Sequence, residues 1–145
     1  MKPSLIIGNR PYDNRGSVQF INELNFKNIK RFYIVQNFSK NFVRAWHGHL
    51  KEEKYITSIK GSFQISAVKI DNVKSPNKKN KVYNFFINEN DNKFVRIPKG
   101  YANGMMSLED NSRVLIFSSS SLKESLKDDY RYNPHYWNPW KINER

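Results

Sequence analysis

Two of the three histidines in this sequence stand one residue apart, in Val43-Arg44-Ala45-Trp46-His47-Gly48-His49, and Lys54 follows closely. In a β-strand alternate residues face the same way, so His47 and His49 are expected to project side by side. Arg44, three positions before His47, brings a fixed positive charge to the same space. A neutral imidazole can accept a proton, and an adjacent cation can stabilise the anion left behind. That is the minimum equipment for removing a proton from a carbon next to a carbonyl. An imidazole, with a reference pKa of about 6.5, is near the best base for neutral pH, and nearby cations keep it unprotonated.

Such residues need a rigid wall, and the surrounding pattern supplies strands. Residues 30–36 alternate and are rich in aromatic and β-branched side chains; the histidine motif follows after a turn at 37–41. Further strands are expected at 54–59, 63–70, 82–87, 93–97 and 113–117, with shorter ones at 4–8 and 18–21. Residues 98–104 read as a loop and turn, and 88–92 is almost pure turn composition. Roughly nine short strands without a long helix mean an all-β sandwich or barrel. The tail, 122–145, carries Tyr130, Tyr132, Tyr136, Trp137 and Trp140. So much ring area is expected to pack over the barrel mouth or against a second subunit.

The chain of 145 residues fits one domain, 1–145, and contains no cysteine, which excludes disulfides and thiolate metal sites. Its formal charge of +12 is spread along the chain, with no Arg-rich helix or nucleic-acid motif. The field suits a phosphorylated small molecule, and nucleic acid is not an expected partner. The densest cluster, 74–81, reads as a solvated hairpin loop. No segment approaches the ~20 apolar residues that span a bilayer, so no membrane association is expected and a cytoplasmic location is. The apolar run at the N-terminus is too short for a signal peptide.

His47-Gly48-His49, Glu53 and Gly61, with Pro98-Lys99-Gly100-Tyr101-Ala102-Asn103, resemble the two motifs of the cupin superfamily, which implies a jelly-roll barrel (a double-stranded β-helix). Metal-binding cupins would imply His47, His49 and Glu53 as ligands for iron or manganese; their second-motif histidine is Asn103 here. A closer resemblance is to dTDP-4-dehydrorhamnose 3,5-epimerases. It rests on Arg44-Ala45-Trp46-His47, Lys54, residues 60–70, 97–104, Asp13-Asn14-Arg15-Gly16 and Trp137-Asn138-Pro139. It implies His47 as the base, Arg44 and Lys54 as cations around a keto sugar and its enolate, and Arg15 as a contact to the nucleotide, often across a homodimer. It also implies that no cofactor or metal takes part and that the substrate is a nucleotide-diphosphate sugar. Any diphosphate must be held by Arg and Lys side chains, since the chain has no phosphate-cradling loop.

The chain departs from that pattern in three places. The family's tyrosine position falls in Ser118-Ser119-Ser120-Ser121, its second histidine is Asn103, and the acid near the Trp-Asn pair is Pro139. Tyr130 or Tyr132 from the tail is then the expected acid, or epimerisation is limited to one carbon. Asp13-Asn14-Arg15-Gly16, residues 29–34 and Arg44-Ala45-Trp46-His47-Gly48-His49 also look like the dTDP-4-keto-6-deoxyhexose 3,4-ketoisomerases. That likeness implies that His47 and His49 share the proton work, with Tyr33 in the same pocket. Gln36, Asn37 and Asn103 are further candidate substrate contacts. The expectation is an epimerase at C3, or at C3 and C5, of a nucleotide-linked 4-keto sugar for surface-polysaccharide or deoxysugar synthesis. The alternatives are a 3,4-ketoisomerase, a metal-binding cupin, and a cupin that binds a sugar nucleotide without turning it over.

Overall fold

The computed structural model describes residues 1–141. Twelve strands follow in chain order: β1 (Ser4–Ile7), β2 (Tyr12–Asp13), β3 (Gly16–Ser17), β4 (Arg31–Asn37), β5 (Val43–His49), β6 (Lys54–Lys60), β7 (Ser62–Lys69), β8 (Val82–Asn88), β9 (Lys93–Ile97), β10 (Tyr101–Ser107), β11 (Ser112–Ser118) and β12 (Tyr130–Arg131). A short helix, α1 (Leu122–Leu126), is started by a Ser121–Glu124 capping box. Among the described residues no helix is long and apolar enough to cross a membrane.

Two antiparallel five-stranded sheets face each other, in the orders β1-β9-β6-β11-β4 and β12-β5-β10-β7-β8. This is the cupin jelly roll expected from the sequence. Alternation explains it: Ile56, Ile65, Val95, Val114 and Ile116 turn inward and close a dry core with Phe63 and Met105. That core fills one end of the barrel. The polar residues of β4, β5, β6 and β10 line the other.

Three expectations change. Residues 18–21 form no strand; the chain pairs at β2–β3 and through a single bridge between Asn9 and Phe20. Residues 98–104 are a turn only to Gly100, where φ is +82°; from Tyr101 they become β10, buried throughout between β5 and β7. Its small residues serve close packing rather than turning: a Cβ on Gly104 would lie 2.7 Å from the Ala45 Cβ and 2.9 Å from the Trp140 ring. Lastly, the tail divides: residues 128–131 run beside the two histidines, whereas its tryptophans pack elsewhere on the barrel. Trp137 and Trp140 lie on the outer face of the second sheet against Trp46, Val68, Ala102 and Met106. Within the chain, that answers where the rings go; residues 142–145 of the tail lie outside the described residues.

The tail also ties down the lysine-rich loop. Tyr132 Oη donates to the Val73 carbonyl at 2.7 Å, Trp137 Nε1 to that of Asn77 at 3.1 Å, and Tyr136 Oη to that of Pro76. Trp46 is fully buried, and its Nε1 is shared between the carbonyls of Trp137 and Pro134. Each buried indole thus finds an acceptor.

Candidate active site

β5 works as a partition. In register, His47 lies opposite Asn103 of β10 and Arg131 of β12, and His49 opposite Tyr101. These residues share the face that looks into the barrel. Trp46 and Gly48 occupy the other face, where a Cβ on Gly48 would meet Ile70 at 2.7 Å and the Tyr132 ring at 3.3 Å. Trp46 is therefore core rather than a platform for a base or sugar.

His47 is half-buried, and among the described residues nothing hydrogen-bonds its ring. Burial, then Lys54 and Arg131, lower its pKa from 6.5 to about 4. The ring is neutral at physiological pH. Lys54, from β6 of the facing sheet, is buried with its Nζ 3.5 Å from the Asn103 Oδ1 and 3.7 Å from the Glu52 Oε2. Burial draws the Lys54 pKa down, and Glu52 acts against it.

His49 sits deeper, and each of its nitrogens faces an oxygen. Nδ1 lies 2.6 Å from the Asp128 carbonyl oxygen, which can only accept, so Nδ1 carries the proton. Nε2 lies 3.2 Å from the Glu52 Oε2, within ion-pair distance, yet neither atom completes a well-directed hydrogen bond with any group. Burial and Lys54 push the His49 pKa down; Glu52 and Asp128 oppose them. Glu52 is 2 % exposed. Ser118 Oγ donates to its Oε1 at 2.8 Å, and Arg31 Nη2 stands 3.6 Å from the same oxygen. The loop that delivers it is clamped by the Asp128 carboxylate, which accepts from the backbone N–H groups of Leu50, Lys51 and Glu52 at 2.8, 2.8 and 3.2 Å.

Of the remaining expected residues, Tyr33 does line the barrel, on β4, with the Arg31 guanidinium 4.8 Å from its ring centre. Its phenol is pushed up to about 12, first by burial and then by Glu52. Gln36 is corrected. It falls on the exposed face of β4, while Asn37 turns inward and is 1 % exposed. Arg44 is exposed at the strand's entrance, its Nε donating to Asn37 Oδ1 at 2.7 Å and its Nη2 to the Gln36 carbonyl at 3.2 Å. Arg15, in the β2–β3 hairpin, meets only Asp13 among the described residues, at 2.6 Å. Tyr132 is also corrected: it pairs with Trp46 on the outer face of β5, with its hydroxyl on Val73, so it is not brought to His47. Glu53 turns to Arg96, so the carboxylate beside the histidines is Glu52 instead.

Sequence reasoning missed Glu52, Arg31, Ser118 and Asp128. Arg31 alternates with Tyr33 on β4 and was legible as an inward position; the others depend on loop paths that leave no periodic signal. A cavity of about 650 Å³ lies beside the site and contains none of the histidines. Lys30, Lys51, Lys99, Lys127 and Asp128 line it on the outside of the 50–53 loop. Chemistry rather than volume locates the site: a neutral base on β5, a buried ammonium on β6, a carboxamide on β10 and a phenol on β4, all on inward faces of the two sheets, are the groups that can deprotonate carbon and stabilise the resulting oxyanion.

The model of the family described as FdtA: WxcM-like, C-terminal matches residues 3–139. No curated protein matches the chain. Among solved structures, it resembles dTDP-4-dehydrorhamnose 3,5-epimerase from Sulfolobus tokodaii with a TM-score of 0.75 and 23 % identity, over 94 % of this chain and 80 % of that one. A 3,4-ketoisomerase from Helicobacter canadensis gives 0.70 and 22 %, over 97 % and 98 %. QdtA, a sugar 3,4-ketoisomerase from Thermoanaerobacterium thermosaccharolyticum in complex with TDP, gives 0.69 and 19 %, over 93 % and 91 %. The chain spans 66 % of the Mycobacterium tuberculosis rmlC epimerase. At these identities the likenesses establish the fold.

Proposed function

The chain belongs to the family FdtA: WxcM-like, C-terminal, and from that premise we propose that it is an isomerase of a nucleotide-linked 4-keto sugar in which His47 removes the proton at C3. The observation that carries this reading is that His47 is neutral and unpartnered among the described residues, across from a buried lysine. Lys54 and Asn103 stand where an enolate oxygen needs donors already in place. Proton abstraction at C3 is common to epimerisation and to 3,4-ketoisomerisation.

The geometry supports ketoisomerisation best. His49 is held through Nδ1 and turns Nε2 to the Glu52 carboxylate, so one base on one wall, His47, takes the C3 proton and returns it, on the same ring face, to C4. The enediol between them needs a proton moved from O3 to O4, a task suited to the Tyr33 phenol, which stays protonated. A second reading, epimerisation at C3, is favoured by Tyr33 standing on the facing sheet, since inversion requires an acid on the opposite ring face.

TDP and TDP-sugars, named as ligands of the structural neighbours, are the first substrates to test. Arg15 lies in an exposed hairpin away from its own site, which suits a homodimer that lends the hairpin to a neighbouring nucleotide. Such a substrate fits a cytoplasmic step in making a surface polysaccharide, lipopolysaccharide included.

Incubation with dTDP- and GDP-4-keto-6-deoxysugars in D2O tests the proposal by NMR. A ketone moved to C3 supports the ketoisomerase, with protium at C4 where His47 passes on the proton it took and deuterium where it first exchanges with solvent; a retained 4-ketone with inverted, deuterated C3 supports the epimerase. His47→Gln should abolish both. A 4-ketone left in place with no exchange at C3, for every such sugar, refutes the reading.

A further inference from the structure

Glu52 is the most deeply buried carboxylate beside the site, and none of the steps above uses it. Its surroundings leave a specific deficit. With Nδ1 committed as a donor to Asp128, a neutral His49 presents the Nε2 lone pair to the Glu52 Oε2 at 3.2 Å. Two acceptors then face each other in a space that admits no water to either atom, and neither has another hydrogen-bond partner. Unpaired buried polar atoms are expensive, and one proton on the line between them removes the conflict.

We propose that Glu52 is a positioning residue of this site: it holds one proton in common with His49 and, through the same oxygen, keeps Lys54 a cation held toward the substrate. The second half rests on the function proposed above; the first does not. Every element packed on Glu52 contributes a group to this balance. Arg31 and Tyr33 face it from β4, His49 from β5, Lys54 from β6 and the Ser118 hydroxyl from β11. Asp128 holds its backbone N–H, and Asp129 adds negative charge near Lys54. Arg31, Lys54 and the shared proton make three positive charges around one carboxylate. Removing that carboxylate therefore leaves Lys54, already desolvated, without its main counter-charge and with Arg31 still beside it.

Ser118 spends its hydroxyl on Glu52, and Glu52 in turn organises His49 and Lys54.

The experiment has two arms. In substrate-free protein labelled with 15N-histidine and 13C-glutamate, the His49 Nε2 or the Glu52 carboxyl should report a bound proton at pH 7.5. In Glu52→Gln, whose amide can donate, His49 should revert to the neutral form protonated at Nδ1 alone. A bare Nε2 beside an ionised Glu52 in the wild type overturns the proposal, whatever the substrate. In the exchange assay, Glu52→Gln should lower kcat at least about tenfold with KM within about twofold, and should move the alkaline limb of the pH profile to lower pH. Glu52→Asp should restore that limb, which a loss of packing would not do. An unmoved limb overturns the Lys54 role. Should Glu52→Gln fail to fold, the wild-type spectra and Glu52→Asp still decide. Wild-type protein that neither exchanges nor isomerises any such sugar sinks the proposed function but leaves the first arm intact.

Discussion

Asp128 offers the most direct test of how the site is held. Its carboxylate accepts three consecutive backbone N–H groups, two at 2.8 Å and one at 3.2 Å, and thereby fixes the loop that inserts Glu52. In Asp128→Ala the N–H groups of Leu50 and Lys51, both exposed residues, regain water at a cost of about 1 kcal/mol each. That of Glu52 is buried, and leaving it unmet costs about 1–3 kcal/mol, giving about 3–5 kcal/mol in all. A domain of this length has an unfolding entropy near 0.3 kcal/mol/K, so Tm should fall by about 10–15 °C. The isosteric Asp128→Asn should not be innocuous. Either orientation of the amide points a donor at a backbone donor, and the better one still loses about 2 kcal/mol. Urea denaturation followed by circular dichroism measures both, with the exposed Asp129→Ala as a control expected within about 0.5 kcal/mol. A loss below about 1 kcal/mol for Asp128→Ala would refute the clamp.

Two further predictions follow from the two faces of β5. Because His47 must be unprotonated to act, kcat/KM should be full at neutral pH and fall only as pH drops through about 4, where burial and Lys54 have moved its pKa; an acid limb near 6.5 in the pH–rate profile contradicts this. Trp137→Ala removes a ring 3 % exposed, edge-on to Trp46 at 5.3 Å and to Tyr136 at 4.8 Å. It should cost about 3–5 kcal/mol by denaturation and expose the tail to limited proteolysis.

Much of the fold was legible because strands carry a two-residue period. The expected strands at 30–36, 43–49, 54–59 and 63–70 match β4 to β7 to within a residue or two. Residues 101–104 misled because Gly104 and Ala102 look like a turn, whereas they are small to let Trp46 and Trp140 pack against the sheet. The same period put His47 and His49 on one face and said nothing of depth: the fate of each ring is decided by Asp128 and Glu52, which arrive from a tail and a loop. Gln36 and Asn37 were named together, and a strand can turn only one of two neighbours inward. Tyr132 was chosen for its chemistry; its place was fixed by backbone hydrogen bonds to Trp46 just beyond the end of β12.

The division of labour along β5 bears on how this chain can change length. A deletion or insertion of one residue inside Val43–His49 would exchange its faces. It would drive the Trp46 ring toward the barrel and turn the histidines against the tail, losing chemistry and anchorage in a single step. The turn before the strand has no such constraint: residues 38–42 are exposed apart from their anchoring hydrogen bonds, so they can absorb an added residue without altering the register. Relatives of this protein should therefore vary in length on the approach to the strand and hold a fixed count of residues within it.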